Sequence, residues 1–277
     1  SWRVKRVRRF VDHVISALPF ERDWYEQHGV EVHYVGHPFF DEVQEYPLDA
    51  RFVDRWSQYR PGKTIAILPG SRSHEIHRNW PVMLQVMQRL HARHPDVNFL
   101  VACYREKYRR FCLEEMLQTA AELPVQFFVD RTSEIIEAAD CALMVSGSVS
   151  LEMVARNTPA VVLYRTSWPT YFIGRALVHC RFMSLANLIG QREIMPEFLS
   201  VGDPEPQIQS ITDRLDRWMG VPEERQRVVA ELRLALGDFI ETGATVRASE
   251  FILHQLTDEG VASATDLSDS LPQTRVA

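Results

Sequence analysis

The chain predicts an α/β fold: a Rossmann-like, doubly wound parallel sheet with further helices at its C-terminal end. Two observations carry this. From Thr64 onward, short apolar runs alternate with segments of helical periodicity. The runs TIAIL, VNFLVAC, CALMV and AVVLY are apolar throughout, as strands covered on both faces are.

In order, His13–Leu18 and Glu31–Val35 read as strands around a helix at Glu21–His28, which Gly29 ends. GHPFFDEV then leads into the polar, Pro-containing stretch Glu45–Asp49, where a domain boundary is expected. Thr64–Leu68 is a buried strand closing in a glycine turn. Trp80–His91 carries Met83, Val86, Met87 and Leu90 at helical spacing. Val97–Cys103 is a strand, Glu106–Leu117 a helix and Val125–Val129 a strand. Thr132 or Ser133 caps a short helix through Ala139. Cys141–Val145 and Ala160–Tyr164 are strands, each followed by a helix, at Ser148–Arg156 and Pro169–Val178. Helical patterns near 207–219, 222–238 and 243–256 follow with no strand between them. Residues 258–277 are Ser/Thr/Asp-rich and read as a disordered tail.

Composition narrows the function. With 277 residues, 45% apolar content and 25% charge, the chain can build a sizeable core without disulfides or metal. A net charge of −6 gives no global reason to expect nucleic acid. Cys103, Cys112, Cys141 and Cys180 are far apart, and three of them read as reduced core thiols of a cytosolic protein. The pairs His74/His77 and His91/His94 are explained as surface histidines, so no metal site is expected. No signal peptide or membrane-length apolar run is present in the sequence. Arg3, Lys5, Arg6, Arg8 and Arg9 make the first residues basic: a solvated helix face, or a contact with anionic lipid.

In an open α/β sheet, ligands bind beyond the carboxyl ends of the strands. Three loops there carry unusual polar residues. In LPGSRSHEI, Gly70 permits a sharp turn, and Ser71 and Arg72 emerge from the strand end. Arg72 offers planar donors for a phosphate, or simply pairs with Glu75. In VSGSVSLE, the small residues Ser146, Gly147, Ser148 and Ser150 lead into a helix, where free N–H groups favour an anion. Glu152 there could hold ribose hydroxyls; the plainer alternative is a serine N-cap with a first-turn glutamate. Tyr164 and Arg165 end the third strand and add donors at the same edge.

Met183–Leu199, MSLANLIGQREIMPEFL, sets Asn187, Gly190, Arg192 and Glu193 in an apolar frame. Polar groups so placed need partners, either from the protein or from a ligand. Its position after the last strand–helix unit favours a ligand for Asn187.

These segments, with ALPFERDWYEQHGVEVHYVGHPFFDEV near the start, resemble the lipid-A-disaccharide synthases, GT-B type glycosyltransferases of Gram-negative lipopolysaccharide biosynthesis. The resemblance covers most of residues 10–256 and rests most specifically on NLIGQREIMPE. It implies transfer from UDP-2,3-diacylglucosamine to 2,3-diacylglucosamine 1-phosphate, giving the lipid A disaccharide 1-phosphate and UDP. The UDP-sugar is a substrate, and neither cofactor nor metal is implied. Arg72 and Asn187 would be catalytic, Arg72 by stabilising the leaving UDP. Gly70, Ser71, Ser146, Gly147, Ser148, Glu152, Tyr164, Arg165, Arg192 and Glu193 would line the nucleotide site, with an Arg192–Glu193 pair as the structural alternative. Residues 1–44 would end an N-terminal Rossmann-like domain that is largely missing. Residues 45–205 would form the UDP-sugar domain and 206–257 the C-terminal helices. The family's general base would lie in the missing part, so a fragment that binds nucleotide and turns over poorly is expected. A cytoplasmic location is implied; peripheral inner-membrane contact and a homodimer stay open. Two alternatives also stay open: another GT-B UDP-sugar enzyme, such as a UDP-N-acetylglucosamine 2-epimerase or a peptidoglycan glycosyltransferase, and an inactive nucleotide-binding module.

Overall fold

The computed structural model describes residues 2–58, 62–177 and 181–269, so Cys180 lies outside the described residues. Two compact units form. One joins Ser1–Gln44 with Glu241–Ala277, and the other is Glu45–Ile240.

The first unit contains α1 (Trp2–Phe10), β1 (Val14–Ser16), α2 (Pro19–Gln27), β2 (Val32–Tyr34) and α3 (Phe39–Glu45). Strands β1 and β2 pair in parallel, Val14 opposite Val32. At the start of the C-terminal helix of this unit, the N–H groups of Gly243, just before the helix, and of Thr245 donate to Asp41. These bonds hold the Asp41 carboxyl below its ordinary pKa, against a smaller opposing effect of burial. Arg247 donates to the Val35 carbonyl.

The second unit runs α4 (Ala50–Ser57), β3 (Thr64–Leu68), α5 (Ser73–Arg93), β4 (Asn98–Cys103), α6 (Glu106–Thr119), β5 (Val125–Val129), α7 (Thr132–Ala138), β6 (Cys141–Met144), α8 (Val149–Ala155), β7 (Ala160–Thr166), α9 (Trp168–Leu177), α10 (Leu185–Gly190), β8 (Glu197–Val201), α11 (Glu205–Gly220) and α12 (Pro222–Leu236). The six strands are all parallel, in the order β5-β4-β3-β6-β7-β8. Alternate residues feed two cores, because successive strand side chains point to opposite faces. Ile65, Ile67, Phe99, Val101 and Leu143 pack with Trp80, Met83 and Leu215 of α5 and α11. Ala66, Leu68, Leu100, Ala142 and Met144 pack with Ile135, Met153, Ala186 and Leu232 of α7, α8, α10 and α12.

The α/β architecture is as predicted, with several corrections. Helix α5 starts at Ser73, seven residues before the expected Trp80, and passes through Pro81. The polar segment Ser73–Asn79 hides its helical character because Ile76 is the sole apolar residue in it. The expected C-terminal helical block 206–257 is divided, since α11 and α12 complete the sheet unit while α13 (Ala244–Asp269) belongs to the other. Helix α13 also extends past 257 into the stretch expected to be a disordered tail. Strand β8 was not anticipated: Pro196 and flanking polar residues break the strand pattern, yet β8 pairs along β7 from Val162–Glu197 to Thr166–Val201. Among the described residues, no helix is long and apolar enough to cross a membrane.

The buried thiols are inert by environment. Burial pushes the Cys141 thiol up to about 12, and Cys103 and Cys112 are likewise buried.

Candidate functional site

The strand order places a switch point between β3 and β6. From β3 the chain winds outward through β4 and β5, then returns to lay β6 on the other side of β3. Loops leaving the carboxyl ends of two such strands diverge and open a crevice, the usual ligand site of this fold. Leu68 and Met144 are the last paired residues, and the Val145 N–H donates to the Leu68 carbonyl at 2.9 Å. Beyond that bond run the two loops singled out by the sequence, 69–72 and 145–148. Strand β7 lies next to β6 and brings Tyr164 and Arg165 to the same edge.

The first loop is clamped by Glu75. Its carboxylate accepts from the Ser71 and Arg72 N–H groups, each at 3.2 Å, and from Arg72 Nη1 at 2.7 Å. The bond to the Arg72 N–H is one half of a capping box. Gly70 has φ +118°, and a Cβ there would stand 3.0 Å from Glu75, so the turn requires glycine. Arg72 is exposed, with 71% of its side chain in solvent, so its ion pair with Glu75 adds little stability. The guanidinium is therefore held near the crevice by one bond and is free to turn toward an anion. The Arg72–Glu75 pair foreseen as the plain alternative forms, and it is compatible with a ligand role.

Burial raises the Glu75 pKa, but the bonds from the Arg72 side chain and from the Arg72 and Ser71 N–H groups outweigh it and hold the carboxyl below its usual value. The sign follows from linkage. A depressed folded-state pKa contributes stability that is present above the unfolded carboxyl range and is lost as pH falls through the folded value. Replacing Glu75 with Gln should therefore flatten the acid limb of stability. Urea midpoints taken from neutrality down through about pH 3–5 would show it; parallel limbs for both proteins would contradict the clamp.

The second loop is open. A Cβ on Gly147 would meet nothing within 4 Å, so no packing demands glycine there. Such a position suits close approach of a ligand to the backbone. Gly147 and Ser148 are exposed, and Ser148 makes no side-chain cap bond to α8. Ser150, by contrast, is buried and donates to the Gly147 carbonyl at 2.9 Å, which shapes the loop from within. Burial, the larger effect, pushes the Tyr164 phenol up to about 12 against a lowering effect of Ser146.

Five predicted residues have protein partners. Asn187 is fully buried, and its amide is saturated. Nδ2 donates to the Met195 carbonyl at 2.7 Å and to Glu197 Oε1 at 2.8 Å. Oδ1 accepts from the Ile194 and Met195 N–H groups at 2.8 and 2.9 Å. Two donors and two lone pairs are all an amide has, so none remains for a sugar. The expectation that Asn187 faces the donor is corrected: it ties α10 to the start of β8. Arg192 and Glu193 have separate partners rather than each other. Arg192 donates to the Glu231 carbonyl, and Glu193 accepts from the Glu197 N–H, both at 3.3 Å. Glu152 is buried and takes Arg156 Nε at 2.9 Å, an i,i+4 pair inside the unit. Arg165 donates to Ser200 Oγ and the Gly202 carbonyl, fastening β7 to β8.

Two structural residues went unpredicted. Asn79 donates to the Glu75 carbonyl and accepts from the Arg165 N–H at 3.1 Å, joining α5 to β7 behind the loop. Glu197 accepts from the Met183 and Ser184 N–H groups as well as from Asn187. A polar residue on the apolar stripe of α5 was the available signal for Asn79; Glu197 had none.

Comparison with known proteins decides the family. A model described as lipid-A-disaccharide synthetase matches residues 1–230. The chain belongs to the lipid-A-disaccharide synthase family. It is 36% identical to the lipid-A-disaccharide synthase of Anaeromyxobacter dehalogenans over 91% of this chain and 64% of that protein. It is 35% identical to that of Myxococcus xanthus over 92% of this chain and 65% of the other. The chain thus spans about two thirds of the length of these relatives. A structure of Staphylococcus aureus MnaA with UDP matches with a TM-score of 0.61 at 14% identity, covering 89% of this chain and 60% of that one. At that identity the likeness is one of fold, the α/β GT-B type. Among the described residues, no group of three or more His, Cys, Asp or Glu could hold a metal ion.

Proposed function

We propose that this chain carries the donor-nucleotide half of a glycosyltransferase that joins UDP-2,3-diacylglucosamine to 2,3-diacylglucosamine 1-phosphate. The acceptor's 6-hydroxyl oxygen bonds to the donor's anomeric carbon as the bond from that carbon to the β-phosphate oxygen breaks. The electron pair leaves with UDP, and the hydroxyl proton passes to a base outside this chain's crevice. The products are the β-1,6-linked disaccharide 1-phosphate and UDP, with no added cofactor. One observation supports this reading most: loops 69–72 and 145–148 flank the switch point in a chain of this family. Arg72 would meet the diphosphate and stabilise the charge that builds on it. Gly147 and Ser148 would present N–H groups to its oxygens.

Titration with UDP tests the proposal, with binding expected in the micromolar range or tighter; absence of binding would overturn it. Diacylated UDP-glucosamine should compete better than the unacylated form, and the reverse order would favour a UDP-sugar enzyme acting on unacylated substrate. Gly147→Ala should leave thermal stability nearly unchanged, because the added methyl meets nothing. It should weaken UDP binding by about tenfold if phosphate oxygens approach that backbone. Unchanged affinity would remove Gly147 from the site.

A further inference from the structure

Glu75 sets a carboxylate within one helical turn of Arg72, at the edge of a crevice read as holding a diphosphate. A bare negative charge there would oppose the ligand. This one is not bare. Oε2 accepts the Ser71 and Arg72 N–H groups, and Oε1 accepts Arg72 Nη1, so each oxygen has a donor. The Glu75 side chain is 16% exposed, against 71% for Arg72. The inner end of the pair is therefore fixed, and the outer end is in solvent.

The grip uses one prong of a larger fork. A guanidinium carries five N–H groups in one plane. Nη1 gives one of its two to Glu75. The edge formed by Nε and Nη2, which suits two phosphate oxygens, makes no hydrogen bond among the described residues. A planar fork held at one prong can still turn about that bond, but its free edge stays beside the crevice.

Glu75 is itself braced. Its N–H donates to the Arg72 carbonyl at 3.1 Å, and its own carbonyl accepts from Asn79 Nδ2 at 2.7 Å. Asn79 Oδ1 accepts from the Arg165 N–H of β7 at 3.1 Å. Asn79 is 3% exposed, on a stripe of α5 that apolar residues otherwise fill, so its polar atoms are buried for the sake of these bonds. A chain of contacts thus runs from the Arg72 guanidinium through Glu75 and Asn79 to β7. Strand β7 pairs with β6, whose end carries loop 145–148. The first turns of α5 tie the two crevice loops together, as the sheet does.

We propose that Glu75 is a positioning residue for phosphate recognition. By holding Nη1 it keeps the Nε–Nη2 edge of Arg72 aimed at the diphosphate, and the affinity gained through Arg72 exceeds what the nearby negative charge costs. The physical reason is preorganisation: a long side chain already held in place loses less rotamer freedom when it meets the ligand. The proposal rests on the nucleotide reading of the crevice.

A double-mutant cycle read by UDP titration tests it. Glu75→Gln keeps one oxygen for the loop N–H groups but offers an NH2 to Nη1, so the cap survives and the grip is lost. In the unsubstituted chain this change is expected to raise the Kd for UDP about five- to tenfold, and in the Arg72→Ala background by less than about twofold. Arg72→Lys gives a second background. An ammonium has no planar edge to aim, so Glu75→Gln should cost it less than it costs the unsubstituted chain. Equal costs in all backgrounds would reduce Glu75 to a helix cap and overturn the proposal. A lower Kd in Glu75→Gln would overturn it too, because Glu75 would then compete with the ligand for the guanidinium. Absence of UDP binding by the unsubstituted chain would remove the nucleotide reading and this proposal together, whereas UDP binding without coupling would remove this proposal alone.

Discussion

Asn187→Leu is expected to destabilise the sheet unit by about 3–5 kcal/mol, because the change preserves volume but removes four buried hydrogen bonds. The N–H groups of Ile194 and Met195 would lose their acceptor, and Glu197 Oε1 one of its donors. Each group left buried and unpaired costs more than an ordinary hydrogen bond contributes, since water cannot replace the amide at a site with no exposure. For a unit of this size, the loss corresponds to a Tm lower by about 8–15 °C. Asn187→Asp should also be destabilising, because it keeps the acceptor but sets a carboxylate against Glu197 and the Met195 carbonyl. If Asn187 were a sugar contact, the opposite pattern would appear, with Tm nearly constant and donor binding lost. Calorimetry and UDP titration on the same variant distinguish the two.

The second large effect is on binding. Arg72→Ala should raise the Kd for UDP by about 10- to 100-fold, the usual worth of a charge-assisted, forked contact to phosphate. Stability should scarcely move, because the Arg72 side chain is mostly in solvent and its pair with Glu75 is the weak, exposed kind. Arg72→Lys should recover only part of the affinity, since an ammonium keeps the charge but loses the planar fork. A Kd unchanged in Arg72→Ala would place the diphosphate elsewhere. Asn187 and Arg72 thus form a pair of opposites, one carrying stability without binding and the other binding without stability.

Much of the fold could be read from the chain because it is local. Ile65, Ala66, Ile67 and Leu68 are apolar whichever face they point to, so the strand and its two-sided burial are written in four consecutive residues. Met83, Val86, Met87 and Leu90 repeat at helical spacing, so that part of α5 was legible while its polar first two turns were not. Strand β8 was hidden because Glu197 and Ser200 interrupt its apolar pattern. Those polar atoms are satisfied only by residues brought from elsewhere, with Glu197 taking Met183, Ser184 and Asn187, and Ser200 taking Arg165.

The candidate site divides in the same way. Gly70, Arg72, Gly147 and Ser148 were recognisable because turn and phosphate-binding chemistry depends on adjacent residues at a strand end. The buried polar residues were visible as polar atoms in an apolar frame, but their partners were not. Gly190 lets Ile194 fold back over it, since a Cβ there would come within 2.5 Å of the Ile194 side chain. The reversal brings the Ile194 and Met195 N–H groups back to the Asn187 amide oxygen.

The alternation of strands and helices, the two-sided core and the two loops proposed to meet a phosphate are legible in the sequence, since each follows from side chains within a few residues. Only the tertiary structure decided that those two loops stand side by side. Residues 69–72 and 145–148 are brought together by β6 returning to pair with β3 after two intervening strands. It likewise decided that Asn187, Glu152 and Arg192 are held by the protein, because a polar group's role depends on which partners reach it: Arg156 reaches Glu152, the Ile194 and Met195 N–H groups reach Asn187, and the Glu231 carbonyl, 39 residues on, takes Arg192.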